Sequence, residues 1–162
     1  MFWDRRTKVS PAVLAQQFMV EFVDKPIYQI PEGIQVPPET VAAINSKARL
    51  FQFACVMMAV MVEEQKSRAY TPLRTELERL FLPPTFAQGA NMLDELRTAM
   101  RDLNDLMTPR QKPHHLSWSL RWFASAGLDE SNPVNLHTFA MRWMSFFSIS
   151  VKALQSFRIV QD

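Results

Sequence analysis

The chain has 162 residues, of which 48% are hydrophobic, and 18 Lys and Arg face 16 Asp and Glu for a net charge of +2. That length fits one domain that buries a core without metal or disulfide support, and the composition is not that of a disordered tail. Three glycines, Gly33, Gly89 and Gly127, stand where an ordinary chain of this size has roughly eleven. Such scarcity argues against sandwiches, barrels and nucleotide-binding βαβ folds, whose turns need positive φ.

In chain order, residues 1–10 read as an N-terminal tail, charged but without the apolar block of a signal peptide. Ser10-Pro11 is a cap followed by proline in the first turn. It opens a helix over about 11–24, with Val13, Leu14, Phe18, Val20 and Phe22 as apolar surface. The segment KPIYQIPEGIQVPP at 25–38 holds four prolines and a glycine, and is predicted to be an extended arm. Pro38 opens the longest proline-free span, and a helix is predicted over about 39–68. Its start is amphipathic through Val41, Ile44, Ala48 and Phe51. Its middle, FACVMMAVMV, is apolar on every side, as befits a helix running through the centre of the molecule.

Thr71-Pro72 repeats the capping signature for a helix over about 72–82, which Pro83-Pro84 ends. Leu93, Leu96, Met100, Leu103 and Met107 alternate steps of three and four on a helix over about 85–107. A fifth helix spans about 114–126 and stops at Gly127, the usual place for a helix-ending glycine. Asn132-Pro133 caps the last, about 133–157, whose apolar stripe is Leu136, Phe139, Ala140, Trp143, Phe147, Val151 and Leu154. The predicted architecture is an all-α, single-domain bundle of about six helices around a long apolar central helix, with one proline-rich arm.

Catalytic and cofactor signatures are missing. His114, His115 and His137 lie in no Glu-x-x-His or His-Glu-x-x-His pattern, and one cysteine, Cys55, cannot build a zinc cluster or a disulfide. Cys55 sits in the most apolar stretch and reads as an inert core thiol. No Gly-x-Gly-x-x-Gly, Walker loop or Gly-x-Ser-x-Gly occurs. No catalytic residue, metal or cofactor is expected, and the chain is expected not to be an enzyme. The longest apolar run, Leu50 to Val62, falls short of the ~20 residues that span a bilayer, and a cytoplasmic protein is expected.

Two features point to binding. The C-terminal third is dense in rings, with Trp118, Trp122, Trp143 and Phe146 on faces too wide for one helix seam, so they pack against several neighbours or meet a partner. The arm carries Ile27, Tyr28 and Ile30, and the tail Phe2 and Trp3; on extended or terminal chain these must land on their own domain or on another subunit. The leading expectation is a non-enzymatic interaction or structural subunit of a multi-protein assembly, docking protein partners or a second copy through these nine residues. The alternative is a subunit that contacts a nucleic-acid backbone through Arg97, Arg101, Arg110, Arg121 and Arg142. Charges are evenly spread, with eight basic and seven acidic residues in 1–70, so no polybasic arm supports that alternative. A third reading is a helical pocket for an apolar ligand, lined by methionines and rings.

Overall fold

The computed structural model describes residues 7–27, 30, 35–82, 86–108, 114–125, 127–128 and 132–160, with the side chains of 86–88 and 114–116 outside the description. Six α-helices account for nearly all of it: α1 Pro11–Phe18, α2 Pro38–Lys66, α3 Thr71–Phe81, α4 Phe86–Met107, α5 His114–Ser125 and α6 Pro133–Gln155. The all-α bundle follows the punctuation of the chain. The Ser10 hydroxyl accepts from the Val13 amide with Pro11 in the first turn, and the Asn132 side chain accepts from the Val134 amide at 3.0 Å ahead of Pro133. At the other end of α5, Gly127 adopts φ +77°. Its amide reaches the Ala124 carbonyl at 3.1 Å, and the Leu128 amide reaches the Phe123 carbonyl at 2.9 Å. This Schellman arrangement satisfies the last carbonyls of the helix and places the buried Leu128 beneath it.

Two local predictions need correction. Residues 7–9 are not tail: Thr7–Val9 forms β1, which pairs in parallel with β2, Phe157–Ile159, in the register Thr7↔Phe157 and Val9↔Ile159. The strands therefore tie the two ends of the described chain together, and the last helix stops at Gln155 so that β2 can form. The first helix also changes character. After Phe18 it widens into a π-turn over Met19–Val23. The arm is described only at 25–27, 30 and 35–37, which hold no helix or strand.

The helix α2 runs through the middle of the packing. Every residue from Phe51 to Met57 is buried, together with Ala59 and Val60, and α2 touches α3, α4, α6 and the π-turn. One residue of that stretch is polar. Gln52 is 0% exposed, and its Nε2 donates to the carbonyls of Lys25 at 2.6 Å, Phe22 at 2.7 Å and Val23 at 3.3 Å, while its Oε1 accepts from the Ile27 amide at 3.4 Å. A helix end leaves carbonyls without partners, and here a side chain from the core supplies the donors. The π-turn is the geometry that brings those carbonyls to a single amide.

Near the far end of α2, Glu63 bridges Lys66 at 2.7 Å and Gln155 of α6 at 2.9 Å. Burial alone would raise its carboxyl, but the hydrogen bonds from Lys66 and Gln155 hold it below the ordinary glutamate range. A carboxyl lowered in the folded state stabilises the fold above the unfolded pKa. That support fades as pH falls through the lowered value.

Replacing Gln52 by Met, similar in volume but without donors, strands buried carbonyls at the end of the π-turn. A loss of about 2–3 kcal/mol is expected from one such unsatisfied site, measured by urea denaturation; an unchanged midpoint would show that the clamp contributes nothing.

Candidate functional site

The rings of the C-terminal third belong to the core. Trp118, Trp122, Trp143 and Phe146 are all buried, the most exposed of them, Phe146, at 7%. Phe51 of α2 is their hub, with its ring 5.9 Å from Trp118, 6.2 Å from Trp122 and 5.6 Å from Trp143 in edge-on or tilted contacts. Phe139 closes the cluster at 4.6 Å from Trp122 and 4.8 Å from Phe123. The wide arc of rings on α6 thus reflects several neighbours within the bundle: α2, α5 and the π-turn, whose Phe22 lies 5.9 Å from Phe146. As surface contacts, Trp118, Trp122 and Trp143 are corrected to interior ones. Ile27 and Ile30 are half-buried against the same core. Phe2, Trp3, Tyr28 and Arg110 lie outside the described residues.

What α6 leaves to solvent is a second, different face. At 100° per residue, Val134, Met141, Ser145, Ile149 and Lys152 fall within an arc of about 80° opposite the buried stripe. Val134 is 70% exposed, Ile149 54% and Met141 43%. The other exposed large apolar residues, Val13, Val20, Met61 and Leu120, sit singly on separate elements, as isolated surface apolars commonly do. On α6, Met141, Ser145 and Ile149 line a shallow groove of about 420 Å³ together with Ile27, Thr138, Arg142 and Phe146, while Val134 and Lys152 lie outside its lining. The 23 residues of α6 include no Asp or Glu, and neither Arg142 nor Lys152 makes an ion pair among the described residues. The face is apolar, with a positive rim that makes no ion pair among the described residues.

A larger cleft of about 680 Å³ lies between α2 and α4. Its apolar surface comes from Ala43, Leu50, Phe51, Phe81, Met92 and Ala99, and its polar groups include Ser46, Lys47, Glu95, Thr98, Asp102 and Ser125. Lys47 stands over the Trp122 ring, 5.1 Å from its centre. Burial lowers the Lys47 ammonium pKa, with Asp102 opposing the shift; burial raises the Asp102 carboxyl, with Arg121 and then Lys47 opposing. Arg49 stacks at 4.9 Å over Phe81 and pairs with Asp24 at 2.9 Å.

The arginines proposed for nucleic acid divide between these regions. Arg97 pairs with Asp94 at 3.0 Å, Arg101 and Arg121 act on Asp102, and Arg142 lines the α6 groove. Three of the four described arginines thus have a carboxylate near them. Burial pushes the Cys55 thiol far up, as for a core residue. Among the described residues, no group of three or more His, Cys, Asp and Glu is placed to hold a metal, and no helix is long and apolar enough to cross a membrane.

Neither surface was singled out by motif. The α6 face was legible in principle as the absence of acids over residues 133–155 together with Val134, Met141 and Ile149 at helical spacing. Lys47 and Asp102 meet only through the packing of α2 on α4. No protein family, curated protein or solved structure matches this chain.

Because desolvation disfavours the charged form of Asp102, its folded pKa exceeds the unfolded one. The carboxylate therefore costs stability at neutral pH, and the cost is relieved as pH falls through the raised value. Asp102→Asn is expected to raise the thermal midpoint at pH 7 and to narrow the gap to wild type at acidic pH. A lowered midpoint at pH 7 would contradict this.

Proposed function

We propose that the protein is a non-enzymatic interaction subunit that docks an acidic, amphipathic segment of a partner protein on the outer face of α6. The observation that carries this reading is a helix with one face buried in the core and the opposite face apolar, cationic and free of acidic side chains. Apolar residues gathered on a single exposed face mark contact surfaces more often than scattered ones do. A groove along a helix, lined also by Ile27, suits the side chains of an incoming amphipathic helix. Arg142 and Lys152 give such a partner its sign: acidic groups would complete the rim and speed encounter. The arm also takes part, through Ile27, which Gln52 holds at the edge of the groove.

This keeps the docking role inferred from sequence and moves it from the buried tryptophans to Val134, Met141, Arg142 and Ile149. A second copy of the chain is a poorer fit, because two such faces would bring like charges together. Nucleic-acid backbones draw less support, since of the candidate arginines Arg97 is ion-paired and Arg101 and Arg121 share the field of the single carboxylate Asp102.

A photo-crosslinking benzoylphenylalanine placed at Met141, with one at the exposed Gln16 of α1 as control, tests this reading in cells. We expect adducts from position 141 alone, mapping by mass spectrometry to a net-acidic, apolar segment of another protein and lost on Arg142→Glu. Adducts to nucleic acid or to a second copy, the same adducts from position 16, or none at all would overturn it.

A further inference from the structure

We propose that the cleft between α2 and α4 binds a free α-amino acid with an apolar or aromatic side chain, its carboxylate received by Lys47 and its ammonium by Asp102. Two opposite charges, Lys47 and Asp102, line the cleft together with Glu95 and with Arg49 and Asp94, which are paired with Asp24 and Arg97. Lys47 lies on α2 and Asp102 on α4. Both line the cleft, and each feels the other's charge. Among the described residues they do not close into a direct ion pair. Both charges lose hydration through burial and are only partly compensated, Lys47 by the face of the Trp122 ring and Asp102 by the field of Arg121, and neither is in an ion pair among the described residues.

A ligand that fits between them must present an acceptor to the ammonium and a donor to the carboxylate within one small head group. The zwitterionic head of an amino acid does both and leaves the net charge of the cleft unchanged. A simple carboxylic acid would meet Lys47 but be repelled by Asp102 and Glu95, and a simple amine would leave the Lys47 ammonium without an acceptor. The hydroxyls of Ser46 and Ser125 line the same cleft and offer further hydrogen bonds to the head. Beyond it, Leu50, Phe51, Ala99, Met92 and Phe81 supply apolar surface for a side chain. The volume, about 680 Å³, lies within the range of small-molecule sites, which pair an apolar wall with a few placed polar groups. The site is separate from the α6 groove, with no lining residue in common, and it stands or falls independently of the docking role.

Calorimetric titration of the full chain decides the matter. The probes are L-phenylalanine and L-leucine, N-acetyl-L-phenylalanine, which lacks the ammonium, and L-phenylalaninamide, which lacks the carboxylate. Saturable binding of the free amino acids is expected, with each blocked compound at least tenfold weaker, as loss of one charge-assisted hydrogen bond implies. Lys47→Met should erase the preference for phenylalanine over its amide, and Asp102→Asn the preference over the N-acetyl compound. Should Lys47→Met fail to fold, the ligand series on the wild-type chain still decides. No saturable binding of the free amino acids, or equal affinities across the series, would overturn the proposal.

Discussion

A single buried amide joins α2, the π-turn and the start of the proline-rich segment. Gln52 lies where α2 is enclosed on all sides, a place where an unpaired polar group costs more than the ordinary hydrogen bond returns. Its donors are taken up by carbonyls at and just after the π-turn, and its acceptor by the amide of Ile27. The chain is thereby fixed as it leaves α1 and enters the proline-rich segment. Ile27 reaches the edge of the α6 groove because the core holds its backbone. A conventional helical ending to α1 would direct these carbonyls along the helix axis instead, and the arm would start elsewhere.

The rings surrounding Phe51 explain how α6 can have two characters. Trp143, Phe139 and Phe146 fill the space between α6, α5 and the π-turn, so the opposite side of the helix is not required for folding. That side is nonetheless apolar at Val134, Met141 and Ile149 and lacks acidic residues. Free of packing demands, an ordinary surface helix carries mixed charges there. The departure is what favours a role in contact.

Much of the architecture was legible in the sequence, because prolines and caps are local signals. Ser10-Pro11, Pro38, Asn132-Pro133 and Gly127 each act within one turn of the chain, and the helices follow them closely. Pro72 sits in the first turn of α3, but Thr71 does not cap it, being the first helical residue with its hydroxyl donated to Glu64. The strands were not legible: three residues give no periodicity, and Thr7 pairs with Phe157 only after the whole bundle has folded. Nor was the π-turn, which depends on a glutamine well beyond it in the chain. The tryptophans show the limit of composition. Rings and arginines occur both in cores and at interfaces, and only the number of helices packed around α6 distinguishes the two. The cleft charges were invisible for the same reason, since Lys47 and Asp102 become neighbours through helix packing alone.

The two surfaces also differ in what they ask of the fold. The α6 face leaves apolar groups in water at modest cost. The α2–α4 cleft holds an ammonium and a carboxylate that burial disfavours. The helix α2 lines the cleft and packs against α6.

Native-state hydrogen exchange tests the role of α2 most directly. If α2 is the framework on which the arm and the other helices are organised, the amides of residues 53–60 will be the slowest to exchange and will open only with global unfolding. Exchange of that segment through local opening, faster than the amides of α4 or α6, would contradict the account.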